Sequence, residues 1–196
     1  GGTLVAHRFD AVPAPRAVVV IAPALAVPQD FYFDFAGWLA QQGFTTLSFD
    51  YRGIGHSAPR SLRGFRATID DWARHDFEAV VAEAHRLADG LPLAVVGHSM
   101  GAQLVALLPS APRVAALLAV AGGSGYWKGL APAMRPMMLA LMHGVAPLAI
   151  PAAGYFPGRR LRVLGDLPAG VMRQWRRWGL HAGYLGGGGP GARGAY

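Results

Sequence analysis

The residues whose types and spacing speak most directly of chemistry are Gly97-His98-Ser99-Met100-Gly101, a G-x-S-x-G string. A serine hydroxyl attacks an acyl carbon only when it is aimed at that carbon and when donors hold the oxyanion that forms. Glycines two residues either side of a serine allow a sharp, strained turn from a strand into a helix. The hydroxyl then stands above the sheet, with a helix N-terminus behind it that favours negative charge. Ser99 is therefore the candidate nucleophile, and the backbone N–H of Met100 is the first candidate oxyanion donor. A second donor is expected from the loop Ala22-Pro23-Ala24-Leu25-Ala26. Pro23 has no N–H, which leaves Ala24 or Leu25, and Leu25 is the choice.

A nucleophilic serine also needs a base and an acid to orient that base. When a serine elbow of this kind comes first in the chain, the acid follows it and the histidine comes last. After Ser99 there are one carboxylate, Asp166, and two histidines, His143 and His181. His143 falls in an apolar helical stretch, where it reads as a residue of the outer face. Asp166 sits in an Asp-Leu-Pro string that suits a turn or an N-cap. Asp166 and His181 stand in the right order, but neither follows a recognisable strand. The chain has no cysteine, which excludes disulfides, a CxxC redox pair and a thiolate zinc site. No metal and no cofactor are expected.

The elements that must position Ser99 are legible from apolar runs and breakers. Ala17–Ala22 (AVVVIA), Phe44–Phe49 (FTTLSF), Leu93–Val96 (LAVV) and Val114–Val120 (VAALLAV) read as strands buried on both faces. Phe31–Gln42 reads as a helix stopped at Gly43, residues 68 to about 90 as a second helix opened by Thr68, and Ala102–Leu108 as a third. Strands alternating with helices predict an α/β fold with a covered parallel sheet over residues 1–122. Residues 123–181 show no strand, many aromatic, Met and Pro residues, and helical stretches near Ala133–His143 and Ala169–Leu180. They read as an inserted helical cap or lid. From residue 182 the chain is Gly-rich (LGGGGPGARG), which predicts a disordered tail.

These motifs together resemble the α/β-hydrolase superfamily, and within it a group of bacterial predicted hydrolases similar to the serine-aminopeptidase and monoacylglycerol-lipase-like branch. The likeness runs from about Thr3 to Trp178. It rests on F-x-x-x-G-W-L-A-x-x-G-F, D-Y-R-G-I-G-H-S, G-H-S-M-G, S-G-Y-W, G-Y-F-P-G-R-R-L, D-L-P-x-G-V and Q-W-x-x-W. The resemblance implies Ser99 as nucleophile, Met100 and Leu25 as the oxyanion hole, and residues 123–180 as a lid. Asp50 and Arg52 of the D-x-R-G loop are expected to pin that loop by ion pairing. His56 lies beside the expected cleft, either touching substrate or solvated, and His98 is expected to point away from the reaction. In that family two further strands after the lid carry the acid and the histidine. This chain turns into glycine there, and after Trp178 it departs from the family pattern. A truncated or frame-shifted hydrolase, inactive by itself, is the expectation. Its sheet edge at Val114–Val120 should then be open and aggregation-prone.

The parent activity expected is cleavage of an acyl ester of a small molecule through an acyl-enzyme, with an amide as a further possibility. Tyr126 and Trp127, with other aromatics and Met residues of the cap, suggest an apolar acyl group. Two other classes stay open: a non-catalytic binding module, and a protein that meets an anionic surface through Arg159, Arg160, Arg162, Arg173, Arg176 and Arg177. The net charge of +7 in 196 residues is uneven, since residues 1–121 sum to −1 and residues 122–196 to +8. No nucleic-acid motif accompanies that basicity. The longest apolar stretch, near Leu130–Ile150, is broken by Arg135, His143 and prolines, so stable membrane insertion is not expected. With no signal peptide recognisable at Gly1-Gly2-Thr3, a cytoplasmic location is expected.

Overall fold

The computed structural model of the chain describes residues 3–185. Two compact units emerge: Gly1–Ala58 with Asp70–Gly122, and Pro59–Ile69 with Gly123–Tyr196.

The first unit is built on a five-stranded sheet. Its strands are β1 (Ala6–Phe9), β2 (Ala17–Ala22), β3 (Phe44–Phe49), β4 (Leu93–His98) and β5 (Ala116–Val120), in the order β1-β3-β2-β4-β5. Strands β3, β2, β4 and β5 run parallel, as their apolar runs predict. The sheet is mixed rather than purely parallel, because β1 joins β3 antiparallel. Its sequence Ala-His-Arg-Phe escaped detection because an edge strand with exposed side chains needs no apolar run. The reading of a buried strand at Val114–Val120 is corrected in the same sense. The strand begins at Ala116, and all five residues are exposed because among the described residues only β4 pairs with it.

Helix α1 (Phe33–Gln41) follows a 3-10 turn at Gln29–Tyr32 and ends where Gly43 takes φ 83°. It lays Ala36 and Leu39, with Tyr32, on Val19 and Ile21 of β2. Val18 and Val20, equally buried, point to the opposite face by the two-residue period of a strand. After β3 the chain runs through a short turn α2 (Ile69–Asp71) and a π-helical segment, Trp72–Phe77, into α3 (Glu78–Ala88). The wider π turn keeps Trp72, Asp76 and Phe77 all buried. Tyr51 stacks on Trp72 with ring centroids 4.7 Å apart, and Phe49 packs edge-on against Tyr51. This aromatic stack anchors the loop that leaves β3.

The second unit is helical, and an isolated bridge between Phe156 and Leu167 is its only strand-like pairing among the described residues. A 22-residue helical rod, Pro132–Ala153, combines a 3-10 turn, α5 (Arg135–Ala140), a π segment (Leu141–Val145) and α6 (Ala146–Ala153). Among the described residues it is the one helix long and apolar enough to cross a membrane, and 22% of its most apolar 18 residues are buried. Helices α7 (Gly158–Leu161) and α8 (Ala169–Leu180) follow. Buried Gln174 of α8 accepts the Ile69 N–H at 2.8 Å, which ties segment 59–69 into this unit. Arg176 Nε donates to the Met142 carbonyl. The Gly-rich tail was expected from residue 182, yet Tyr184 and Leu185 are buried, with Tyr184 edge-on to Trp178. The rest of that expected tail, residues 186–196, lies outside the described residues.

Candidate active site

Ser99 stands between the end of β4 and the start of α4 (Met100–Leu104), with φ 51° and ψ −110°. Positive φ at a non-glycine residue persists only where its surroundings impose it. Here the Ser99 N–H donates to Val120 O at 2.8 Å, and Ser99 O accepts from Ala102 N at 3.1 Å. The flanking glycines are demanded by contact distance. A Cβ on Gly97 would lie 2.4 Å from Ala102 Cα, and one on Gly101 would lie 2.1 Å from Ala22 O. The G-x-S-x-G spacing thus lets α4 press directly on the ends of β4 and β2.

The two expected oxyanion donors follow neighbouring strands of the sheet. Ala22 of β2 pairs with Gly97 of β4, so Leu25 and Met100 each follow three residues after a paired position on strands about 4.8 Å apart. Met100 opens α4, where a first-turn N–H has no carbonyl partner within the helix. Of the two candidates after Pro23, Ala24 already donates its N–H to Tyr32 Oη at 3.0 Å. That engagement favours Leu25.

Tyr32 went unrecognised in the sequence. Its hydroxyl accepts from Ala24 and lies 2.9 Å from His98 Nδ1. Burial raises the Tyr32 pKa, and the bond from Ala24 partly opposes that shift. His98 is thereby held in an open groove of about 310 Å³ with Tyr32, Phe31, Phe35, Leu118 and Val120. No periodicity marks Tyr32, which lies in an aromatic run, Phe31-Tyr32-Phe33.

The expectation that Asp50 and Arg52 pin this loop by ion pairing holds for Arg52 and is corrected for Asp50. Asp50 is fully buried and accepts three N–H groups: Gln29 N at 2.8 Å, Gln29 Nε2 at 2.9 Å and His56 N at 2.8 Å. Gly55 is packed so close that a Cβ there would lie 2.4 Å from Asp50 Oδ2. Arg52 pairs instead with Asp76, Nε to Oδ1 at 2.7 Å, and its backbone N–H reaches Oδ2 at 2.8 Å. The π segment supplies that carboxylate from sequence too distant for the loop motif to reveal. Burial pushes the Asp76 pKa up, and the Arg52 guanidinium pulls it partly back. The bond to Asp76 raises the Arg52 pKa.

Of the expected substrate contacts, His56 is tied to Asp30, Nε2 to Oδ1 at 2.9 Å, with both side chains about half exposed. No bond joins it to Ser99 among the described residues. Tyr126 and Trp127 belong to the second unit, where their rings meet edge-on and the Lys128 ammonium lies 5.5 Å over Trp127. Asp166 accepts the Arg159 N–H at the first turn of α7, 3.0 Å away. His143 is exposed in its π segment, and exposed His181 accepts Gly183 N–H at 3.3 Å. Among the described residues, no three His, Cys, Asp or Glu side chains are grouped to hold a metal ion.

A parallel sheet with an antiparallel edge strand, helices on both faces and a strained serine at the strand–helix turn after β4 define an α/β-hydrolase core. Residues 13–162 match the family model described as serine aminopeptidase, S33, and the chain belongs to that family. Its fold is similar to a soluble variant of monoglyceride lipase from Saccharomyces cerevisiae, at 20% identity and TM-score 0.57, over 76% of this chain and 49% of that one. It is likewise similar to a thermostable carboxyl esterase from Bacillus coagulans, at 17% identity and TM-score 0.54, over 82% and 51% of the two chains. A third similar structure is an α/β serine hydrolase without a lid from Xanthomonas campestris, at 20% identity and TM-score 0.51, over 63% and 58%. The chain spans about half the length of the first two structures.

Proposed function

We propose that Ser99 is the nucleophile of a carboxylic-ester hydrolase that works through an acyl-enzyme. The observation that carries this reading is the left-handed backbone of Ser99, wedged between Gly97 and Gly101 where β4 turns into α4. Ser99 Oγ attacks the ester carbonyl and passes its proton to a base. The Met100 and Leu25 N–H groups hold the oxyanion, and the alcohol leaves with a proton returned by that base. Water then attacks the acyl-enzyme, which releases the carboxylic acid and regenerates the serine. The lipase and esterase among the similar folds support an ester over other acyl substrates.

Residues 3–185 supply the nucleophile and the oxyanion donors in this proposal, but no base. Asp166 is occupied at α7, and His143 and His181 are exposed, without a carboxylate partner among the described residues. The stretch by itself is therefore inactive, and the acid and histidine come from sequence outside it. A fluorophosphonate probe tests both parts. The 196-residue chain should stay unlabelled, and a form continuing into the further length its relatives possess should be labelled, with Ser99→Ala abolishing the signal. Labelling of the 196-residue chain at Ser99 would contradict the missing base, and an unlabelled extended form would sink the hydrolase reading. In the extended form, Tyr126→Ala and Trp127→Ala test whether these rings set acyl-chain preference.

A further inference from the structure

Charge in this protein is divided by compact unit even more sharply than by sequence half. The first unit holds six Arg and ten carboxylates, a net charge of −4, whereas the second holds eleven Arg and Lys128 against Asp166 alone, a net charge of +11. Within the second unit no ion pair forms among the described residues, because the Asp166 carboxylate faces the Arg159 backbone N–H. Some guanidiniums there are bound to backbone carbonyls. Arg63 Nε donates to Ala153 O at the C-terminus of α6, at 3.2 Å, and Arg135 Nε donates to Leu130 O at 3.0 Å. Arg160 has no bonded partner among the described residues and is exposed.

Arg63 and Arg160 line one cleft of about 490 Å³ in this unit, together with Ser61 and Tyr155; Ala149, Ala152 and Leu161 form its apolar lining. Arg63 is oriented by two bonds to the end of α6, Nε to Ala153 O at 3.2 Å and Nη2 to Ala152 O at 3.5 Å, so the Nη1 side of its fork remains for a ligand. Two guanidiniums and two hydroxyls are a donor set for a tetrahedral oxyanion with several acceptors, richer than one carboxylate needs. Beside the polar lining the surface is apolar: Leu148, next to Ala149 on α6, is 74% exposed, and Leu161 and Val163 are 39% and 45% exposed. A soluble phosphate has no use for such a rim, whereas a lipid phosphate at a bilayer surface uses both parts.

We propose that this cleft binds the phosphate of an anionic lipid, with Arg63 and Arg160 on the phosphate oxygens, Ser61 and Tyr155 donating hydroxyl hydrogen bonds, and Leu148, Leu161 and Val163 entering the interface. The proposal does not depend on the chemistry of Ser99. Vesicle flotation with the full chain tests it, comparing phosphatidylcholine vesicles with and without phosphatidic acid. Binding is expected only with phosphatidic acid, and Arg160→Gln should weaken it about fivefold, the effect of one cation near an anionic surface. Arg160 bonds no other described group, so that variant keeps its fold even if Arg63→Gln does not. The double variant Arg173→Gln/Arg177→Gln removes two charges from α8, outside the cleft, and should weaken binding less than Arg160→Gln does. Leu148→Ser should weaken vesicle binding while leaving binding of inorganic phosphate, read by calorimetry, unchanged. Equal or greater losses from the α8 pair would show diffuse attraction in place of a site. Inorganic phosphate binding without any vesicle binding would overturn the lipid assignment, as would displacement of bound vesicles by an equal charge of RNA oligonucleotide.

Discussion

At Ser99 the backbone carries strain that a glycine would not feel. A non-glycine residue held in a sparsely populated backbone region costs of order 1–3 kcal/mol. Ser99→Gly should therefore raise stability in a denaturant melt by about 1 kcal/mol, whereas Ser99→Ala, which keeps a Cβ, should not. An unchanged or lowered midpoint for the glycine variant would show that the elbow is relaxed. Gly101→Ala is expected to act in the opposite direction. Its methyl meets the Ala22 carbonyl at 2.1 Å, a backbone atom that cannot rotate away, so a loss of about 3 kcal/mol is expected. Asp76 adds a pH signature. Burial holds its pKa above the unfolded value, so the native state binds the proton more tightly. Stability contributed by that proton is present at low pH and is lost as pH rises from the ordinary carboxylate range through the raised native pKa. Urea melts of the wild type should lose ground to Asp76→Asn across that window, and a difference that grows with pH in favour of the wild type would reverse the assignment. At neutral pH, Asp76→Ala should still destabilise by about 3 kcal/mol, because it strips Arg52 of its only ion-pair partner among the described residues.

At the scale of elements, β5 is the exposed margin of the sheet. Among the described residues its outer edge pairs with no strand; it carries Leu117, Leu118 and Val120, and Leu118 is 57% exposed beside the groove that holds His98. A flat apolar strand with free N–H and C=O groups invites pairing with another copy. Leu118→Lys should reduce self-association in light scattering at matched concentration, while the fully buried Leu104 offers no such remedy. An unaltered scattering profile would show that the edge is not the contact surface. At the other margin, β1 is blunted by His7 and Arg8, so no comparable change is expected from substitutions there.

At the scale of the whole molecule, the segregated charge makes the basic unit repel itself. Salt should screen that repulsion, since the Debye length shrinks from about 30 Å at 0.01 M to about 8 Å at 0.15 M. The melting temperature of the chain is expected to rise over that range. A fall would mean that the ion pairs of the first unit, such as Arg52–Asp76 and Arg86–Glu83, outweigh the repulsion in the second.

Much of this molecule is legible in its sequence. The buried parallel strands declare themselves because a strand covered on both faces must be apolar throughout, and the Ser99 elbow because close packing against Ala22 and Ala102 excludes any side chain at 97 and 101. Composition alone also located the surplus of arginine after Gly122. Other features have no local signature. Edge strand β1 satisfies its hydrogen bonds through β3 without needing an apolar run. Asp50 and Arg52, two residues apart, find separate partners in Gln29 and Asp76. Tyr32, in the 3-10 turn before α1, meets the Ala24 amide and, 66 positions away, His98. Segment 59–69 joins the helical unit through the Ile69 amide on Gln174, 105 positions away, and through Arg63 on Ala153, 90 positions away. Patterns of apolarity and steric exclusion are written in neighbouring residues, so a sequence carries them. The choice of partner for a buried carboxylate, hydroxyl or amide depends on distances between segments remote along the chain, and only tertiary structure decides it.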